Sequence, residues 1–432
     1  MMATKKKPRR VAIVDGLRTP FAKSGTVLKD QSALDLGSAV VSELIARAAI
    51  DSAEIDRIVF GTVVQSVDSP NIAREIVLAG PMPDSVDAYS VTRACATSTQ
   101  SFVDAAQAIL LGDIDIAIAG GAESLSKVPI TYSDRFVDIL MEANGARDVQ
   151  GKARAFAKVR PKDLAPHAPA IAERSTGETM GDSAEKMAKE NGISRQDQDE
   201  FALRSHVKAI EAWEAGIFDD EVMPYPVPPT YRNTVERDTI PRADSTIEKL
   251  SSLKPVFDRK YGSVTAANSS PLTDGAAALL LMDEEVAKAL GYTPKAYLRS
   301  YAFAALDPNW QLLMGPSLAT PIALERAGMT LDDIDIIDMH EAFSAQVLSN
   351  VQAFASEDFA VERLGRDRAI GEIDDAKFNI YGGSLSLGHP FGATGARQLM
   401  TMANELERRG GGTALITQCA AGGLGAAVIL ER

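Results

Sequence analysis

Two cysteines and four histidines serve a chain of 432 residues, so each is worth reading for chemistry. Cys95 stands just before a helical stretch, Thr97 to Leu111. A thiol there meets unsatisfied backbone N–H groups and the positive end of the helix dipole, and both favour thiolate. The competing reading is a small buried hydrophobe, as many free cysteines are. Position alone does not separate the two. His389 sits in Gly388-His389-Pro390-Phe391-Gly392-Ala393-Thr394-Gly395, where glycines and a proline specify a backbone that regular structure does not need. An imidazole on such a loop, at a helix entrance, suits a base that reaches a partner. A surface histidine in a turn is the alternative. His340 and Glu341 follow the apolar run Ile334 to Asp338, at a strand end, where sheets of this kind open into clefts. On that signal a structural pair reads equally well. Cys419 ends another apolar run, ahead of Ala420-Ala421-Gly422-Gly423-Leu424-Gly425, and glycines there let a backbone or ligand approach closely. A packed core thiol is the other reading. His167 and His206 read as structural. No C-x-x-C or H-E-x-x-H spacing occurs, so no metal is expected. The absence of a GxGxxG opening the first helix and of a Walker loop argues against a Rossmann dehydrogenase or an NTPase.

The elements that must hold these residues follow from hydrophobic period. Arg10 to Val14, Asp56 to Phe60 and Asp115 to Ala119 read as buried strands. Between the first two, Leu36, Ala39, Val40 and Leu44 form one face of an amphipathic helix. The helix after Cys95 turns Phe102, Ala105, Ala106, Ile109 and Leu110 to one side and stops at Gly112. Helices alternating with buried strands predict a layered α/β fold with a mainly parallel sheet. From about Lys127 to Lys254 the texture changes to a charged helical pattern (Ala184 to Ala215, broken at Asn191-Gly192) and a loop rich in Pro, Tyr and Arg. Alternation resumes at Ala276 to Leu281. The second half then echoes the first. Leu331 to Asp338 resembles Ser52 to Val59, and the order loop, helix, glycine, strand after Cys95 recurs after His389. Such an echo predicts internal duplication. The expected division is 1–126 with 255–290 as one half, 127–254 as an inserted excursion, and 291–432 as the other half.

Composition narrows the function. With 45% hydrophobic and 24% charged residues, the chain has ample material for a large core. A net charge of −14 argues against nucleic acid, since no basic face is available to displace counterions. The basic run Lys5 to Arg10 reads as a solvated tail. No long apolar run spans a membrane; the stretch from Thr413 to Leu430 is broken by glycines and reads as two buried strands around a tight turn. Neither a signal-peptide core nor a disulfide framework is visible, which points to the reducing cytoplasm.

Read in order, the motifs identify the chain as resembling the thiolase family nearly end to end. The blocks are Asp15-Gly-Leu-Arg-Thr-Pro20-Phe21, Arg93-Ala-Cys95-Ala-Thr-Ser-Thr-Gln100, Gly120-Gly-Ala-Glu-Ser124 and Thr179-Met180-Gly181, followed by Thr265-Ala-Ala-Asn268-Ser-Ser270 and Asp274-Gly-Ala-Ala. His340-Glu-Ala-Phe343, the glycine-rich loop around His389 and Cys419-Ala-Ala-Gly-Gly-Leu-Gly425 complete the set. Many thiolases carry Asn where this chain has His340. Together with the segment Arg135 to Met180, that residue resembles the β-subunit of the fatty-acid-oxidation trifunctional enzyme. Ser98, Ala267 and Ala421 stand where many thiolases have glycine, which puts fine substrate positioning in question.

The resemblance implies a thiolase fold of two related α/β/α/β/α halves with a loop domain for CoA and partner contacts. It implies cleavage of 3-ketoacyl-CoA by CoA to acetyl-CoA and a shortened acyl-CoA, in fatty-acid β-oxidation. Cys95 is the implied nucleophile, His389 its base, Cys419 the second acid/base thiol and His340 an oxyanion donor acting through a water. Backbone N–H groups of Cys95 and Ala421, supported by Gly422, would form a second oxyanion hole, with Glu341 orienting neighbours and Ser270 meeting the pantetheine. No permanent cofactor is implied; coenzyme A is the co-substrate. Implied partners are a second copy of the chain and, for the trifunctional branch, an α-subunit with hydratase and dehydrogenase activities, with room for peripheral membrane contact. Rival readings are a biosynthetic acetoacetyl-CoA thiolase, a ketoacyl synthase, a non-catalytic acyl-CoA carrier on the same fold, and a structural partner. The second cysteine weighs against the synthase, and retention of all the reactive groups weighs against the carrier.

Overall fold

The structure, a computed structural model, describes residues 9–166 and 172–432, so His167 and Lys5 to Pro8 lie outside the described residues. The first half runs β1 (Val11–Arg18), β2 (Ala22–Lys23), α1 (Ala33–Ala48), β3 (Arg57–Gly61), α2 (Ile72–Ala79), β4 (Asp87–Val91), α3 (Thr97–Leu111) and β5 (Ile116–Glu123). The excursion carries α4 (Asp134–Gly145), α5 (Val149–Phe156), α6 (Met180–Glu190), α7 (Arg195–Glu214), the short pair β6 (Tyr225–Pro226) and β7 (Thr234–Val235), and α8 (Ile247–Ser251). The first half closes with β8 (Thr273–Asp283) and α9 (Glu284–Ala289). The second half has β9 (Ala296–Ala305), α10 (Gly315–Ala327), β10 (Ile336–Met339), α11 (Ser344–Ala355), α12 (Glu357–Phe359), α13 (Ser384–Leu387), α14 (Thr394–Arg409), β11 (Thr413–Ala420) and β12 (Leu424–Glu431).

Local signals explain the elements. Ser32 and Asp35 form a capping box at the start of α1, whose Leu36, Val40, Val41 and Leu44 face inward. Every residue of β8 is buried, as its uninterrupted apolar run requires. The duplication is visible in strand order, β10-β11-β12-β9-β1-β8-β5-β3-β4. Outward from the central β1–β9 contact, β8, β5 and β3 on one side match β12, β11 and β10 on the other. Pairing agrees: β3–β5 and β10–β11 are parallel, while β5–β8 and β11–β12 are antiparallel. Each half also leads into its strand through a 3₁₀ turn, Ser52–Glu54 and Leu331–Asp333. The expectation of a mainly parallel sheet is corrected, because only β3–β4, β3–β5 and β10–β11 run parallel. β12 follows β11 through a tight hairpin turn and β8 returns beside β5 after the excursion, and both pair antiparallel to the strand before them.

α3 and α14 occupy equivalent places in the two halves and share one core. Phe102, Ala106 and Ile109 meet Leu399, Met402 and Leu406, with Ile13, Leu279, Ile416 and Val428 from strands of both halves. α1 and α2 cover the other face of the first-half strands, while α10 and α11 cover that of the second. The contact between α3 and α14 is close: a Cβ on Gly395 would lie 2.2 Å from Thr99 Oγ1 and 2.7 Å from the Thr99 backbone nitrogen.

Gly395→Ala is therefore expected to destabilise the fold by about 1–3 kcal/mol, since the backbone of α3 must move. Gly145→Ala, at a helical position with nothing within 4 Å of the added carbon, is the control and should leave Tm unchanged or raise it slightly. Thermal melts of both variants test the contact; equal Tm values would refute it.

Candidate active site

Cys95 lies in the turn from β4 into α3, where Ala94 is held at φ 44°, a left-handed conformation costly for alanine. Thr97 fixes that turn by donating its hydroxyl to Ala94 O at 2.7 Å and accepting the Arg93 N–H at 2.8 Å. The backbone N–H groups of Ala421 and of Cys95 itself both act to lower the pKa of the thiol. Thus Ala421, at the tip of the β11–β12 hairpin, reaches the nucleophile's position with its main chain. Gly422 and Gly423 take φ values of 84° and 67° to make that tip, and Gly422 does not line the cavity.

His389 reaches the same place from the loop before α14. Its N–H donates to Thr273 Oγ1 at 3.0 Å, and its Nδ1 lies 2.7 Å from Thr394 Oγ1. Two turns are tied together by Glu123, which sequence reading placed only within a motif. Its buried carboxylate accepts the Thr62 hydroxyl and the N–H groups of Val63, Val64 and Gly392, each at 3.0 Å. A carboxylate at the end of a fully buried strand needs such partners, and that was the available signal. His340, at the end of β10, is fully buried beside His389 with ring centroids 4.2 Å apart. Its Nδ1 lies 2.8 Å from Ser384 Oγ. Glu341 sits behind the site, accepting from Ser205 and Asn379 at 2.7 Å each.

One ring nitrogen of each histidine and the Cys95 sulfur lie within 4.8 Å of one another. The Nε2 atoms of both histidines are buried without hydrogen-bond partners among the described residues. The argument against a metal rested on local spacing, which does not reach a trio assembled from three distant loops; the same donors suit proton transfer or a soft divalent ion. Cys95 and His389 open onto a cavity of about 530 Å³, also lined by Cys419, Ala421 and Ser270. The walls are apolar, with Met180, Phe257, Leu272, Leu313, Phe343 and Phe391. His206, on α7, lies outside this cavity, buried, with its pKa lowered to about 4 by burial and by Arg242.

Burial sets the charges. The Cys95 thiol is pushed up to about 12 by desolvation, against the pull of the two N–H groups, with Glu123 adding to the rise. The N–H groups at the helix terminus do favour thiolate, but desolvation outweighs them, which decides between the two readings that position left open. Cys419 is likewise raised well above the usual thiol value, by burial and then by Cys95. Burial and Arg397 lower His389 to about 3, and burial, His389 and Arg397 lower His340 well below its usual value. All four groups are neutral near pH 7.

Of the residues replacing glycine, only Ala421 lines the cavity. Ser98 instead accepts the Ala396 N–H at 2.9 Å, stitching α3 to α14, and Ala267 packs in the second-half core. No helix among the described residues is long and apolar enough to cross a membrane.

Comparison with known proteins matches residues 11–285 to the family model for the thiolase N-terminal domain and 292–432 to that for the C-terminal domain. A 3-ketoacyl-CoA thiolase of Yersinia pestis (strain Pestoides F) is 58% identical over 422 residues, 98% of this chain and 97% of that protein. Human mitochondrial 3-ketoacyl-CoA thiolase superposes with TM-score 0.83 at 30% identity, over 98% of this chain and 99% of that one. Its complex with CoA gives TM-score 0.82 at 30% identity, with 98% of each chain covered. An acetyl-CoA acetyltransferase of Bacillus anthracis gives 0.83 at 33% identity, again over 98% of each.

With its pKa raised, Cys95 should be alkylated by iodoacetamide slowly at pH 7, the rate rising about tenfold per pH unit up to pH 10 as thiolate forms. A rate that levels off below pH 8 would show a standing thiolate–imidazolium pair instead.

Proposed function

The chain belongs to the thiolase family and is an acyltransferase, and from that premise we propose how its own residues carry out CoA-dependent cleavage of a 3-ketoacyl-CoA. His389 Nε2 takes the Cys95 proton as the sulfur attacks the 3-keto carbon. The oxygen becomes an oxyanion, met by His340 through a water and by the protonated His389. The C2–C3 bond then breaks, its electron pair leaves as the enolate of acetyl-CoA, and Cys419 delivers its proton to C2. The Cys419 thiolate takes the thiol proton of incoming CoA, whose sulfur attacks the acyl-cysteine. Backbone N–H groups of Cys95 and Ala421 meet this second oxyanion, and Cys95 recovers its proton from His389 as it leaves.

The raised pKa of Cys419 supports its role, since a thiol that keeps its proton can protonate carbon. The apolar walls support an acyl chain as the part of the substrate buried deepest. Ser270 lines the cavity, which supports contact with the pantetheine. For the excursion, 127–254, we propose CoA and partner contacts; its Thr179 and Met180 line the cavity. Within the family, the 58% identity to a 3-ketoacyl-CoA thiolase favours degradation over biosynthetic condensation. Assembly as a homodimer, and as α2β2 with a hydratase/dehydrogenase subunit, is proposed on the family resemblance. β4 leaves one edge of the sheet unpaired, open to extension by a second copy. Two free thiols support a reducing location, the cytoplasm.

The observation that carries the mechanism is the convergence of Cys95, His340 and His389 within 4.8 Å. Purified protein with CoA should cleave 3-ketohexadecanoyl-CoA and acetoacetyl-CoA, read as loss of enolate absorbance. Cys95→Ser and Cys419→Ser should each lower kcat by at least about 10³-fold. Faster cleavage of the long substrate supports the trifunctional-type branch. Bound thioester with no turnover of either substrate would overturn the reading in favour of a carrier.

A further inference from the structure

The two site histidines are held by similar contacts from hydroxyls of unlike freedom. Thr394 Oγ1 lies 2.7 Å from His389 Nδ1 and donates to Pro390 O at 3.0 Å. A hydroxyl has one hydrogen to give. With that hydrogen on Pro390, Thr394 can only accept from His389, so the ring carries its proton on Nδ1 and keeps a lone pair on Nε2.

Ser384 is the opposite case. Its hydroxyl is fully buried, and His340 Nδ1, at 2.8 Å, is its side-chain partner among the described residues. Were the His340 proton on Nδ1, Ser384 would have to accept, and its own hydrogen would be stranded without a partner, which a buried donor tolerates poorly. With Ser384 donating, both groups are satisfied and His340 carries its proton on Nε2. The ring centroids are only 4.2 Å apart, and both Nε2 atoms are buried and unpartnered. At such separation, matching lone pairs or matching N–H groups oppose each other, whereas one of each is complementary.

We infer that Thr394 and Ser384 are positioning residues that fix opposite tautomers on the two histidines, Nδ1–H on His389 and Nε2–H on His340. Given the cleavage proposed above, on which this consequence rests, each ring then has one task. The Cys95 proton passes to the His389 lone pair, the sulfur–carbon bond forms, and the carbonyl electron pair moves onto oxygen facing the His340 N–H. When the acyl-enzyme breaks down, the proton returns along the same path. Neither ring has to flip and neither hydroxyl has to rotate.

Nitrogen NMR of protein labelled with ¹⁵N-histidine tests this in the ligand-free state, because a protonated and a bare ring nitrogen resonate far apart. Only four histidines contribute, and His340→Asn and His389→Asn assign their own signals. The expected spectrum has a bare Nε2 on His389 and a bare Nδ1 on His340. The same tautomer on both rings would overturn the inference. Thr394→Val should shift the His389 proton toward Nε2 and lower kcat on the order of 10²-fold with KM little changed, and Thr394→Ser should restore both. An unshifted His389 signal in Thr394→Val would remove Thr394 from the scheme. Ser384→Ala should likewise lower kcat rather than raise KM; unchanged kcat would remove Ser384. Because the spectra require no turnover, a failure of 3-ketoacyl-CoA cleavage would count against the reaction alone.

Discussion

The close packing of α3 on α14 is the constraint on which the site depends. Each helix begins without a side-chain cap, at Ala96 and Ala393, and the first N–H groups turn back onto their own loops, Thr97 to Ala94 O and Thr394 to Pro390 O. The pseudo-symmetric pairing of the halves sets these two starts side by side. Gly395 removes the one side chain that would hold the helices apart, and Ser98 closes the contact by accepting from Ala396. Cys95 precedes one helix and His389 precedes the other, so a contact made for core packing also brings the proposed nucleophile and base together. Neither half contains a working site alone: Cys95 comes from the first, while His340, His389 and Cys419 come from the second.

Behind the reactive groups runs a buried polar strut. Arg397 pairs with Asp338 at 2.8 Å, Gln398 donates to Asp338 at 2.7 Å, and Gln418 donates to Gln398 at 2.6 Å, while Thr99 on α3 donates to Gln418. Buried ion pairs add little net stability, because desolvation consumes most of the Coulombic gain. What this one fixes is direction. Asp338 and Gln418 lie within two residues of His340 and Cys419 and set where β10 and β11 end. The Arg397 guanidinium also acts electrostatically, disfavouring a proton on either imidazole. Glu123 does the corresponding work in front, holding the Val63 turn and the Gly392 loop to one carboxylate.

Much of this was legible in the sequence, for reasons that differ by residue. α3 was bounded correctly by its apolar face and by Gly112, and the β11–β12 hairpin by its glycines. The echo between 52–59 and 331–338 corresponds to matching 3₁₀ turns and strands. Strand direction was not legible, because a buried apolar run looks the same in parallel and antiparallel pairing. Ser98 was misplaced because proximity in sequence to Cys95 says nothing about which way a helical side chain points. Thr394 lies within the His389 loop and could have been found by asking what holds the ring. Ser384, 44 positions from His340, leaves no local trace.

Burial also decides the ionisation state that the position of Cys95 left open. A dipole and two N–H groups favour a thiolate, but they act on a sulfur removed from water, and desolvation is the larger effect. The protein therefore holds two thiols and two imidazoles, all uncharged, around an apolar-walled cleft. Such a site gains nothing by stabilising charge in its resting state. Charge arises only when the Cys95 proton moves and the carbonyl oxygen becomes negative, and at that moment the surrounding N–H groups are already in place. In a low-dielectric cleft those donors act more strongly than in water and need no reorganisation, so their stabilisation falls on the transition state rather than on the free enzyme. The desolvation that disfavours the isolated thiolate is thus the same property that makes each fixed donor effective once the substrate carbonyl arrives.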